Sequence, residues 1–205
     1  FSDNTSRYTS DVSYRGSILR WELGEKVMAI DISDNYSPYV EIKERPLPLG
    51  IRNNNPGNLR PYEGELYAGS ADIKNNFIVF DSPDSGLRGL ARDIKSKVNR
   101  GLNNIESITK VYAPDTENDP INYTNMVVDN LNSLGYKVDK DSDISKLIKD
   151  DNFLKDYMKS KIKVELGADY ENYYSDETIL NSIKESKIKK KGPTLKELLL
   201  KIKDN

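Results

Sequence analysis

The chain contains neither cysteine nor histidine. No disulfide and no zinc site of the usual kind can staple it, so folding must rest on buried apolar surface and hydrogen bonds. Its 205 residues suffice for one domain, or one domain with attached arms. Apolar residues make up only 36% of the chain, so the 13 Tyr, 4 Phe and single Trp must supply much of any core. The same two absences exclude a Ser-His-Asp or Cys-His catalytic centre. Catalysis would fall to carboxylates, Tyr, Lys, Arg or backbone amides, or to a hard metal held by oxygens. The 31 basic and 33 acidic residues leave a net charge of −2, which argues against a dedicated nucleic-acid binder. Redox compartment cannot be read from a chain without cysteine. No window reaches the roughly 18 apolar residues of a membrane span. The polar start, Phe1-Ser2-Asp3-Asn4, lacks a signal-peptide pattern, and a chain opening on Phe is expected to be a processed or partial product.

Charge divides the chain. Residues 181–205 carry net +5 and residues 1–180 carry net −7. Residues 1–17 read as an arm. Ile18–Leu23, Val27–Ile32 and Tyr39–Lys43 are β-like runs, with turns at Gly24 and Asp34-Asn35. Arg45-Pro46-Leu47-Pro48 reads as an extended linker, because proline disfavours helix in the residue before it. Ile51–Tyr67 is rich in Asn, Pro and Gly and predicts irregular backbone. Asn76–Asp81 predicts a strand. Ser82-Pro83 opens a helix that carries Leu87, Leu90, Ala91, Ile94 and Val98 on one face and stops at Gly101. Helices are also predicted over about 105–112, from Asp119-Pro120 to Gly135, over 144–149 and over Asn152–Leu166. Thr194-Leu195-Lys196-Glu197 is a capping box that opens a last helix. Three parts are expected: an N-terminal arm and β-rich segment (1–45), a central domain (46–172) and a basic helical tail (173–205). The class is α+β, mainly helical with a small β region.

Three features carry candidate chemistry. Glu165 lies eleven residues after Leu154, on the stripe of Leu154, Met158 and Ile162. Burial there and the negative helix end would both favour a neutral carboxyl group, as a general acid needs. The alternative is a boundary Glu that turns outward to pair with a Lys. Gly50–Arg60 carries Asn53, Asn54, Asn55 and Asn58 among Pro and Gly. Asn amides offer both hydrogen-bond senses to sugar hydroxyls and N-acetyl groups, and equally suit tight turns. Tyr112 to Asp119, followed by Tyr123, is an acidic loop flanked by aromatics. It could line a saccharide groove or simply connect two helices. Glu63 and Glu65 are further loop carboxylates. Asp115, Glu117 and Asp119 lack the glycine and distal Glu of a calcium loop.

These motifs, in this order, resemble a family of small lysozyme-like domains in phage virion proteins and prophages. The family shows Arg-Asn-Asn-Asn-Pro-Gly-Asn (here Arg52–Asn58), then a Phe-rich strand (Phe77–Phe80) and a Ser-Pro-x-x-Gly helix start (Ser82–Gly86). Tyr-Ala-Pro with Glu-Asn-Asp follows (Tyr112–Pro114, Glu117–Asp119), and then a Tyr (Tyr123). The resemblance covers about residues 50–170. Asp84 stands where the family pattern has Glu, and residues 1–45 and 175–205 find no match. In lysozyme-like glycosidases the acidic Glu ends a helix that precedes the β region, and flagellar-type glucosaminidases keep that order. Here Glu165 ends a helix at the other end of the domain. A circular permutation would reconcile the two.

The resemblance implies a virion-associated peptidoglycan hydrolase, a lysozyme or lytic transglycosylase, acting on glycan strands in the periplasm and cell wall during entry. Glu165 would be the general acid. Glu117 is the first candidate for a second carboxylate and Glu65 the next, and the substrate's own N-acetyl group is an alternative to both. Asn53, Asn54, Asn58, Tyr112 and Tyr123 would line the groove. No cofactor or metal is expected. Attachment to other virion proteins would use the N-terminal segment and the C-terminal helix, and the basic tail could also meet a membrane surface. Two other readings remain: a non-enzymatic virion attachment protein with a lysozyme-like body, and a host-encoded cell-wall binding protein.

Overall fold

The computed structural model describes residues 9–11, 17–23, 26–32, 43–44, 46–112 and 119–203. The chain divides into two units, with the division between Leu47 and Pro48. In the first, β1 (Thr9–Asp11), β2 (Ser17–Leu23), β3 (Lys26–Ile32) and β4 (Lys43–Glu44) form an antiparallel sheet in chain order. Its backbone is the β2–β3 pair, in register from Ser17 opposite Ile32 to Leu23 opposite Lys26. The β-branched and aromatic content of these runs suits a pleated surface. Of the third expected run, 39–43, only Lys43 lies among the described residues.

The second unit is α+β and mostly helical. A short α1 (Leu49–Arg52) leads into the Asn-rich segment. β5 (Ser70–Lys74) and β6 (Phe77–Phe80) form a two-stranded antiparallel sheet with an irregularity between Ser70 and Asp72. The helices are α2 (Pro83–Asn99), α3 (Ile105–Tyr112), α4 (Pro120–Ser133), α5 (Asp151–Leu166), α6 (Asp176–Ser186) and α7 (Leu195–Lys203). Their starts follow local chemistry. The Ser82 hydroxyl accepts from the Ser85 amide at 3.2 Å, and Asp119 accepts from the Ile121 and Asn122 amides at 3.1 Å each. Asp150 accepts from Asn152 and Phe153. Each such cap contributes about 1 kcal/mol. The expected helix over 144–149 reduces to a 3-10 turn, Leu147–Lys149. A single helical bond, from the Ile148 amide to the Ile144 carbonyl at 2.9 Å, precedes it, and Asp150 starts α5 immediately afterwards.

Helix α5 is the hub. Phe153, Leu154, Tyr157, Met158 and Ile162 are buried along it, and it packs against α4 and α6 with its end beside α1. Helix α2 brings Leu87, Leu90, Ala91 and Ile94 to the same core. Residues 173–205 were expected to form a separate tail. Instead α6 lies along α2 and α5 with Ile179 and Ile183 buried, and α7 sits against β5 with Leu198 buried. These residues belong to the second unit because their apolar stripe closes its core. The α7 cap is the reciprocal one expected, Thr194 amide to Glu197 at 2.7 Å and Glu197 amide to Thr194 at 3.2 Å.

The Asn-rich segment runs beside β6 as a substitute strand. The Asn55 amide donates to the Leu59 and Ile78 carbonyls at 2.9 and 2.8 Å, while its oxygen accepts from the Leu59 amide. The Phe80 amide donates to the Asn53 carbonyl, and the Ile78 amide to that of Leu59, both at 2.9 Å. Gly86 lets the first turn of α2 press on this segment: a Cβ there would lie 1.8 Å from the Asn54 carbonyl oxygen. Gly86→Ala must therefore separate the two. It is expected to lower stability by at least the roughly 1–3 kcal/mol of overpacking, read as a shift in the urea midpoint; an unchanged midpoint would show that the contact is dispensable.

Candidate active site

Glu165 is the penultimate residue of α5, between buried Ile162 and Leu166, and helix geometry turns it to the rim. It is half-buried, not enclosed on the apolar face as the stripe suggested. Both of its oxygens are engaged. The Asn58 side-chain amide donates to Oε2 at 2.8 Å, and the Tyr123 hydroxyl donates to Oε1 at 2.9 Å. Asn58 reaches it because its backbone takes a left-handed conformation (φ 47°), which Asn tolerates better than most residues. Gly50 permits the approach from the other side, since a Cβ there would lie 2.6 Å from the Leu166 side chain. Tyr123 arrives from the first turn of α4, whose orientation Asp119-Pro120 fixes.

The structure thus brings together Asn58, Tyr123 and Glu165 from three separate segments. The other proposed residues are placed differently. Asn53 is buried with its Nδ2 lacking a hydrogen-bond partner among the described residues, so it does not line an open groove. Asn54 donates to the Phe80 carbonyl at 3.1 Å and holds the loop, again in left-handed backbone (φ 51°). Glu65 lines a neighbouring groove and accepts from the Gly192 amide at 3.4 Å. Glu117 and the side chain of Tyr112 lie outside the described residues. Among the described residues, no three acidic side chains converge where they could hold a metal ion.

One participant was not anticipated. Lys161, one turn before Glu165, is fully buried, and its Nζ donates to the Tyr123 hydroxyl at 3.1 Å. The same nitrogen lies 4.8 Å from the centre of the Tyr123 ring. The signal was present: Lys161 lies on the α5 stripe, seven residues after Leu154 and four after Tyr157. On the neighbouring α2, Lys97 and Asp93 form a buried ion pair, and the Tyr67 hydroxyl donates to Asp93 at 3.0 Å. Burial pushes the Lys161 ammonium down to about 7; Glu165 and Asp93 oppose that shift, while Lys97 adds to it. When charged, Lys161 can only donate to Tyr123, which directs the tyrosine proton toward Glu165.

Of this cluster Asn58 alone lines a groove of about 590 Å³, a volume within the usual range for ligand sites; Glu165, Tyr123 and Lys161 do not line it. Tyr62 and Tyr67 line it, edge to face with ring centres 5.7 Å apart.

No family model matches the chain. It is similar to Protein P5 of Pseudoalteromonas phage PM2, 38% identical over 86 residues. That match covers 38% of this chain and 52% of the phage protein, so the chain spans about half the length of this relative.

The buried lysine generates a pH signature. An unfolded chain holds that proton up to the ordinary value of 10.5, whereas the folded chain releases it near 7. Between these limits the unfolded state binds more protons, so stability rises with pH. Lys161→Met abolishes that term. The Tm of the variant relative to the parent should be more favourable at about pH 6 than at about pH 9; a pH-independent difference would mean that Lys161 carries no buried charge.

Proposed function

We propose that the second unit is a lysozyme-like domain that cleaves the glycan strand of peptidoglycan, with Glu165 as the proton donor. The observation that carries this reading is the pairing of half-buried Glu165 with Asn58 and Tyr123, of which Asn58 also lines a Tyr-bearing groove. A carboxyl group offers about four lone-pair sites. Two are taken by these donors, which orient the group without using up its capacity for a proton. Protonated Glu165 would donate to the glycosidic oxygen as the bond to the anomeric carbon breaks, leaving oxocarbenium character on the sugar. A second carboxylate, Glu65 or Glu117, would assist water attack or stabilise that charge. Failing these, the muramyl N-acetyl group or hydroxyl would close on the anomeric carbon, as in a lytic transglycosylase. Helix α5 ends beside the segment that opens the domain, which fits a circularly permuted lysozyme-like arrangement.

Similarity to a phage protein supports a phage setting. Within it we propose a virion-associated role, acting at the cell wall. The other reading, attachment without catalysis, draws on α7. Leu199, Leu200 and Ile202 are exposed there with Lys196, Lys201 and Lys203 around them, a face suited to another virion chain or an anionic membrane.

Glu165→Gln preserves size and removes the proton donor. Dye release from purified peptidoglycan should fall by roughly 10²–10⁴-fold, with thermal unfolding little changed. Near-parental release by the variant would remove Glu165 from the mechanism.

A further inference from the structure

The second unit is neutral as a whole, but its charge is separated along the chain. Residues 48–186 carry 18 basic and 23 acidic side chains, net −5, whereas residues 187–205 carry 7 and 2, net +5. The basic end consists of α7 and the segment leading to it, and the fold fixes both. The Leu66 amide donates to the Pro193 carbonyl at 2.8 Å, and the Leu195 amide to the Gly64 carbonyl at 3.0 Å. Gly192 permits that approach, since a Cβ there would overlap the Leu66 carbonyl oxygen. Leu198 is buried beneath α7, but Leu199, Leu200 and Ile202 are 46%, 53% and 36% exposed. An apolar recess of about 420 Å³ is lined by Leu195, Leu199 and Leu200 together with Lys196, Lys203 and a single acid, Glu63. Lys187 pairs with Asp151 at 2.7 Å and Lys190 with Glu185 at 2.6 Å. Lys189, Lys191, Lys196 and Lys203 are exposed and make no ion pair among the described residues.

We infer that this face of α7 docks the protein on an anionic phospholipid bilayer. The inference rests on the attachment reading above, commits it to one partner, and does not require glycan cleavage. Leucines interleaved with lysines suit the boundary between lipid headgroups and acyl chains. The leucines leave water there, and the lysine stems lie along them while the ammonium groups reach lipid phosphates. A protein partner fits this composition less well, because the cores of protein interfaces are depleted in lysine. A nucleic acid would engage the lysines and leave the leucines in water. The acidic excess of residues 48–186 is repelled by the same anionic surface, which favours approach through the basic end. A helix of nine residues is marginal by itself. Its backbone bonds to Gly64 and Leu66 through the 192–195 segment present the face already formed, so no folding cost is added on contact.

The test is flotation of the full chain with vesicles of phosphatidylcholine alone, and of phosphatidylcholine and phosphatidylglycerol in equal parts. The chain should float with the anionic vesicles and not with the neutral ones, and salt should weaken the binding. Leu199→Ser with Leu200→Ser should weaken it at least about tenfold. Lys196→Gln with Lys203→Gln should weaken it roughly fivefold per lysine. All four side chains are exposed, so thermal unfolding should match the parent in both pairs. No binding to either kind of vesicle, equal binding to both, or parental binding by either pair overturns the inference. So does unfolding of both pairs, which would make the face part of the core. A dimer that the leucine pair renders monomeric, without vesicle binding, would assign the face to a second copy of the chain. Salt-sensitive binding of duplex DNA without vesicle binding would assign it to nucleic acid. Either result overturns the bilayer and leaves attachment standing, while dye release by the parent chain judges cleavage separately.

Discussion

The hydrogen bond from Asn58 to Glu165 joins positions 107 residues apart, and the geometry of the site depends on it. One partner comes from an irregular segment, the other from the end of α5. Neither position is set locally. Asn58 is held by the left-handed turn at its own backbone and by Asn55, whose side chain stands in for a strand partner of Leu59 and Ile78. The segment lies close to its neighbours because Gly50 and Gly86 carry no Cβ where Leu166 and the Asn54 carbonyl come near. The core of α2, α5 and α6 therefore fixes the site from one side, and the Asn-rich segment from the other.

Two sets of polar groups within that core are connected. Asp93 pairs with Lys97 and accepts from Tyr67 at the floor of the groove, while Lys161 donates to Tyr123 and Tyr123 to Glu165. A lone buried ammonium would cost several kcal/mol, so its placement among two carboxylates and a phenol is what makes Lys161 tolerable. The arrangement also limits rotation of the Glu165 side chain. In the proposed role of proton donor, a carboxyl plane fixed beforehand would lower the entropic cost of aiming the proton at one oxygen of the substrate.

Much of the local structure was legible because its causes are local. Ser82-Pro83, Asp119-Pro120 and the Thr194–Glu197 box state helix starts within four residues, and the structure has caps at all three. Helix α6 was missed although Ser175 caps it and Ile179 and Ile183 mark its face. The lysines that follow it mask the apolar period with charge. β5 carries Ala71 and Asp72 and an irregular register, so little in its composition announces a strand. At the site, Glu165, Asn58 and Tyr123 could be singled out by residue type, but not their mutual distances. Asn53 and Asn54 share their chemistry with Asn58 and differ only in where the backbone points them. Lys161 shares the stripe of Leu154 and Tyr157, but residue type alone does not announce a buried lysine whose Nζ donates to a phenol.

The central claim is that this site breaks the bond between two sugars. Mass spectrometry of the soluble products released from purified peptidoglycan by the full chain tests it most directly. The account predicts disaccharide units with intact peptide stems, ending either in a reducing sugar or in an anhydro ring. Release of free stem peptides from uncut glycan, or no soluble product at all, would contradict it.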